Sequence, residues 1–182
     1  MLVKLKANLT KKRKMVELKA RIDNHNVLRE KLLDLGAEYF GTFHQKDQYF
    51  VVPEGRLKLR TVKEKNMAEL IYYERENVSG PKIDDAYILR ILEADDLNVI
   101  LKKILKPLTI IEKDRDIYQY NGTEIHLDNV TNLGIFIEFE RQTSTDPKIL
   151  NKDKQILEKL MKALEISPNN LVALSYSDLF ER

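Results

Sequence analysis

Residues 123–140 read TEIHLDNVTNLGIFIEFE, and the fold can be argued outward from this stretch. Side chains alternate between the two faces of a β-strand. Ile125 and Leu127 therefore fall on one face, with Glu124, His126 and Asp128 on the other. A few residues later Ile135, Ile137 and Phe139 oppose Glu138 and Glu140. The same division recurs upstream. Glu17, Lys19 and Arg21 share a face of residues 15–21, and Arg56, Lys58 and Arg60 oppose Leu57 and Leu59. Tyr73 lines up with Arg75, and Lys113 with Arg115. An ordinary half-solvated sheet mixes Thr, Ser, Lys and Glu on its polar face without a plan. Here the ionic faces are sorted, with Arg and Lys on four strands and Asp, Glu and His on two, and sorting points to a site.

Between these strands the chain is punctuated by local signals. Asp23 or Asn24 caps a helix carrying Val27, Leu28, Leu32 and Leu35, which Gly36 ends. Residues 44–52 and 55–62 alternate around Pro53, Glu54 and Gly55 and predict a hairpin. Strands over 67–75 and 85–92 flank a polar loop from Glu76 to Asp85, and Asp95 or Asp96 then caps a helix bearing Leu97, Ile100, Leu101, Ile104 and Leu105. Three more strands follow at 108–119, 123–129 and 134–142, with Asn121-Gly122 as a turn signal. Asp146-Pro147 opens an amphipathic helix, and Ser167-Pro168 opens a short terminal one.

The expected fold is α+β: a closed eight-stranded antiparallel β-barrel with helices packed outside. The helices' apolar faces need the Leu and Ile face of the sheet, so the ionic face lines the lumen. Unpaired charge in such a lumen is very costly unless counter-charge, water or ligand matches it. A surplus of cations beside a carboxylate cluster suits a polyphosphate gripped by Arg and Lys, with a hard divalent cation, Mg²⁺ or Mn²⁺, bridging its oxygens to Asp and Glu.

Composition bounds the alternatives. The 182 residues suffice for one domain, 43% of them are apolar and 33% charged, and there is no cysteine, which removes disulfides and thiolate chemistry. Lys and Arg number 31 against 29 Asp and Glu, so net charge predicts neither nucleic acid nor a membrane as partner. Residues 1–14 read as a basic N-terminal extension without a signal-peptide core, and 15–182 as the barrel domain; a cytoplasmic location is expected. No Rossmann or P-loop glycine pattern, HExxH motif or nucleophile elbow is present.

At these residues the sequence resembles the CYTH superfamily, or triphosphate tunnel metalloenzymes, which includes class IV adenylyl cyclases and thiamine triphosphatases. The resemblance spans roughly residues 15–180. It rests on VELKAR (16–21), HQKDQYF (44–50), GRLKLR (55–60), LIYYER (70–75), Gly80-Pro81-Lys82, EKDRDIY (112–118), IHLDNV (125–130), LGIFIEFE (133–140) and SYSDL (175–179). The similarity is strongest to the class IV cyclase branch. It implies metal at Glu17, Glu138 and Glu140, with Asp128 a metal or catalytic-water partner. It implies phosphate binding by Lys19, Arg60, Arg75, Lys113 and Arg115, supported by Arg21, Arg56, Lys58 and Lys82, and places Lys19, Arg60 and Asp128 at the chemistry. His126 is read either as part of the site or as a histidine hydrogen-bonded within the wall. The family's opening strand reads Glu-x-Glu-x-Lys, whereas Met15 stands here at the first glutamate.

Water attacking the terminal phosphorus makes such a protein a triphosphatase; a ribose 3′-hydroxyl attacking the α-phosphorus makes it an adenylyl cyclase. The missing first glutamate favours hydrolysis of a small-molecule triphosphate. A binding module without turnover is a third alternative, and a homodimer is left open.

Overall fold

A computed structural model describes residues 10–65 and 67–181. Eight strands form it: β1 (Thr10–Arg21), β2 (Glu38–Phe50), β3 (Arg56–Val62), β4 (Met67–Arg75), β5 (Lys82–Ile91), β6 (Pro107–Tyr120), β7 (Thr123–Val130) and β8 (Gly134–Gln142). They close into a barrel in the order β1-β5-β4-β3-β2-β6-β7-β8. Every neighbouring pair is antiparallel, and β1 closes the ring by pairing with both β5 and β8.

The strand faces divide as the alternation requires. The outward Val16, Leu18, Ala20, Ile125, Leu127, Ile137 and Phe139 pack under Leu28 and Leu32 of helix α1 (His25–Asp34) and Leu157, Leu160 and Met161 of helix α3 (Pro147–Ala163). Phe50, Leu59 and Ala68 pack under Leu101 of helix α2 (Ala94–Ile104). Burying these side chains removes the sheet's outer apolar face from water, at roughly 1.5–3 kcal/mol for each fully buried Val, Leu, Ile, Phe or Met.

The turns follow local chemistry. The Asn24 side chain accepts hydrogen bonds from the N–H groups of Asn26 and Val27, so the α1 cap is Asn24 and not Asp23. Asn121 and Gly122 both take positive φ, 46° and 75°, as a tight β6–β7 hairpin needs. The α2 cap differs from expectation. Glu93 holds the position without a side-chain bond, and Asp95 and Asp96 lie inside the first turn, where their charge favours the helix dipole. Ser167-Pro168 opens only a 3₁₀ turn; the terminal helix α4 (Tyr176–Phe180) starts later, where Ser175 and Asp178 form a reciprocal capping box.

Three strands begin earlier than their sequence signal. β1 starts at Thr10, because residues 10–14 pair with Asp85–Leu89 of β5; residues 1–9 of the basic segment lie outside the described residues. β2 starts at Glu38, with its register against β6 shifting between Tyr39 and Gly41. β5 starts at Lys82, so Asp84 belongs to a strand and not to the loop. No helix among the described residues is long and apolar enough to cross a membrane.

Candidate functional site

The inward faces enclose a cavity of about 270 Å³. Its lining includes Glu17 and Lys19 of β1, Lys58 and Arg60 of β3, Arg75 of β4, Lys113 and Arg115 of β6, and Glu138 and Glu140 of β8. All nine are residues that the sequence reading expects at the site. Strands far apart in the chain bring them together through barrel closure.

Most of the cations are held by carboxylates. Asp47 of β2 accepts from Lys58 Nζ at 2.9 Å and from Arg60 Nε and Nη2 at 2.7 Å each. Glu17 accepts from Arg75 at 2.7 Å. Glu138 stands between Lys19, 2.8 Å from its Oε1, and Arg115, which reaches its Oε2. Arg115 also makes a two-pronged contact with Asp128, at 2.6 and 2.5 Å. Such pairs keep buried charges compensated and fix the guanidinium planes, which point donors into the cavity without mobile side chains.

The balance shows in the titration of these groups. Burial opposes ionisation of Asp128 and Glu138, yet neighbouring cations, Arg115 and Lys113 for the first and Lys19 and Arg115 for the second, hold both carboxyls below their ordinary range. Lys113 is not fully compensated. Burial and then the Arg115 charge push it down to about 7. Asp84 shows the opposite deficit: burial, followed by the charges of Glu17 and Glu140, raises its carboxyl to about 7.

Four expected residues do not line this cavity. Arg21 shares the inward face of Lys19 but lies at the strand's end, exposed, donating to the Leu133 carbonyl at 2.8 Å and stacking on Phe136. Arg56 is likewise at the end of β3 and pairs with Asp178 at 2.6 Å. Lys82 is fully buried and donates to the Val172 carbonyl at 2.9 Å. Asp128 is also fully buried, its oxygens taken by Arg115 and by the Tyr176 hydroxyl at 2.8 Å, which makes it an anchor for Arg115 beneath the cavity.

Five more lining residues fall outside the set that the sequence assigns to the site, although Glu124 lies on the ionic face already read as lumenal. Arg13, Lys65, Asp84, Glu124 and Tyr176 all reach the cavity. Arg13 has the same strand parity as Met15 and Glu17, so extending the alternation backwards finds it. Tyr176 comes from α4, and its ring packs edge-on against Phe136 and lies 3.7 Å from Lys19 Nζ. No periodicity announces that a short terminal helix fills one end of a barrel.

The donor set fits a hard divalent cation. Glu140 and Asp84 have no Lys or Arg partner among the described residues, and Asp84 Oδ1 is buried without a hydrogen bond. Carboxylate oxygens are the ligands Mg²⁺ and Mn²⁺ prefer.

The model of the CYTH domain matches residues 13–176. A candidate adenylate cyclase of Methanocaldococcus jannaschii is 32% identical over 178 residues, covering 90% of this chain and 97% of that protein. Among solved structures, a Pyrococcus horikoshii protein superposes with a TM-score of 0.80 at 22% identity, covering 91% of this chain and 98% of its own. A candidate adenylyl cyclase from Hippeastrum, described as having a dominant triphosphatase activity, superposes with a TM-score of 0.66 at 16% identity, covering 92% and 95%.

Proposed function

The chain belongs to the CYTH domain family, and from that premise we propose that it binds a nucleoside or organic triphosphate in the lumen and hydrolyses a phosphoanhydride bond with the help of a divalent cation. The observation that carries this reading is the convergence of Lys19, Arg60, Arg75, Lys113 and Arg115 on one cavity beside Glu138 and Glu140. Phosphoryl transfer is accelerated mainly by positioning and by stabilising charge on the phosphate oxygens, and fixed guanidinium and ammonium groups supply both.

In this reading Arg60 and Arg115 bind phosphate oxygens from guanidinium planes that Asp47, Asp128 and Glu138 keep in place. Lys19 and Lys113 add charge without a fixed plane. Glu17, Glu138 and Glu140 are the residues that would hold Mg²⁺ or Mn²⁺. Such an ion, when bound, neutralises phosphate charge and increases the acidity of attacking water. Asp128, covered by Arg115 and Tyr176, acts as a positioning residue for Arg115, and the direct metal or catalytic role expected for it is set aside.

The description of the Hippeastrum neighbour supports hydrolysis, as does Met15 in place of a motif glutamate. The relative from M. jannaschii favours a second reading, cyclisation of ATP. Phosphate release and cyclic AMP are to be measured on a panel of triphosphates with Mg²⁺ or Mn²⁺. Phosphate release without cyclic AMP is the expected result, falling more than about tenfold in Glu140→Gln, whose carboxylate holds no Lys or Arg and whose loss should leave Tm near the parent value. Cyclic AMP as the main product selects the second reading; tight triphosphate binding with neither product makes the protein a binding module.

A further inference from the structure

His126 lies in the lumen wall where β7 and β8 pair, 2% exposed, directly across from Glu138, while Glu124 lies across from Glu140. Its Nε2 is 2.7 Å from Glu124 Oε1. An ionised carboxylate only accepts hydrogen bonds, so Nε2 carries a proton and donates it to Glu124. In its neutral form the ring, with its proton on Nε2, presents a lone pair at Nδ1. That atom is buried and has no hydrogen-bond partner. Glu138 Oε2 and Glu140 Oε1 each lie 3.7 Å from it.

A lone pair facing two carboxylate oxygens is repulsive unless something positive sits between them. Glu138 already has Lys19 on one oxygen and Arg115 on the other. Glu140 has neither. Glu124, His126 and Glu140 each offer a ligand atom, and these atoms lie within 4.8 Å of one another. A buried nitrogen with no partner, oriented towards free carboxylate oxygen, is what a metal ligand looks like before its metal arrives.

We propose that His126 Nδ1 and Glu140 form a mixed nitrogen–oxygen site for a divalent transition-metal ion, with Glu124 holding the ring from its Nε2 edge. Imidazole favours ions such as Zn²⁺, Fe²⁺, Co²⁺ or Ni²⁺, whereas Mg²⁺ is held by oxygen donors. The Glu124 contact fixes the histidine tautomer and makes the ring more basic, the usual arrangement behind a metal-bound histidine. The site shares Glu140 with the metal role proposed above, and it is tested without triphosphate so that the two ideas fail separately.

Metal-free protein is titrated with Co²⁺ at pH 8 and followed by calorimetry and by visible absorption. Saturation at one Co²⁺ per chain is expected. His126→Gln should weaken Co²⁺ by roughly tenfold or more, with Mg²⁺ affinity near the parent value. A second readout needs no variant: of the three histidines, His25, His44 and His126, the His126 imidazole signals should be the ones shifted or broadened at stoichiometric Co²⁺. Undiminished Co²⁺ affinity in His126→Gln, or unperturbed His126 signals at saturation, overturns the site. Mg²⁺-dependent phosphate release with no Co²⁺ at His126 removes this inference alone. Co²⁺ at His126 without any phosphate release supports it and counts against the hydrolytic reading.

Discussion

Met15 and Asp84 face each other across the β1–β5 ladder, and both line the lumen. Directly opposed residues on one face of an antiparallel pair have Cβ atoms about 4.5–5.5 Å apart. The carboxylate that β1 lacks at position 15 is therefore offered by the neighbouring strand, close to Glu17 and Glu140, whose charges help raise the Asp84 carboxyl.

Met15→Glu should accordingly make the fold depend on metal. Without divalent cation, a fourth carboxyl beside Glu17, Asp84 and Glu140 should cost about 1–3 kcal/mol, a drop of several degrees in Tm. Added Mg²⁺ or Mn²⁺ should recover more stability in the variant than it gives the parent. Thermal melts with EDTA and with saturating metal measure both effects. An equal metal-induced gain in the two proteins would show that position 15 does not point at a cation site.

Asp84→Asn should stabilise the metal-free protein in a pH-dependent way. The folded-state value of about 7 lies above the ordinary unfolded value of about 3.9. Below pH 4 the carboxyl is protonated in both states and carries no ionisation cost. As pH rises from 4 to 7 the unfolded state ionises first, so stability falls, by at most about 4 kcal/mol, and above 7 the loss is complete. Asparagine resembles the neutral form at every pH. Its Tm should exceed the parent's at pH 8 and match it near pH 4; the same difference at both values would contradict the assignment.

Triphosphate binding should take up a proton at Lys113. In the free lumen this amine sits at about 7, pushed down by burial and by Arg115. A polyanion favours the charged form and raises it again. Near pH 6 the amine is already charged and its uptake is small; at pH 8 it is mostly neutral, and binding should draw in close to one proton. The Lys113 contribution to affinity thus weakens as pH rises above 7. Calorimetry in buffers of different ionisation heat counts the protons. Lys113→Arg, charged throughout, removes the Lys113 share while leaving the ligand's own protons in place. Equal uptake by both proteins at pH 8 would exclude Lys113 as the acceptor.

Barrel and site were legible to different depths. The alternation of Ile125 and Leu127 against Glu124, His126 and Asp128 is a period-two signal carried by adjacent residues, so it survives in one dimension. The same holds for Lys58 and Arg60 and for Glu138 and Glu140, all of which line the cavity. Asp84 is hidden because Ser79, Gly80 and Pro81 signal a loop whose end no local feature marks, and the clear alternation for β1 begins at Met15, five residues inside the strand, which conceals Arg13.

What the sequence alone determined was the sorting of faces: which side chains look inward and which meet helices, since each follows from parity along a single strand. Parity says nothing about height in the barrel. Lys19 and Arg21 share a face, yet Lys19 meets Glu138 in the lumen while Arg21 stands exposed at the rim. Tertiary structure alone decided that Asp128 is covered by Arg115 and Tyr176, that Asp47 holds Lys58 and Arg60, and that His126 Nδ1 is left without a partner. The reason is physical. A buried charge takes its energy from whatever lies within a few ångströms, and in a closed barrel those neighbours are set by the register between strands and by the helix that fills one end, both of which join residues far apart in the chain.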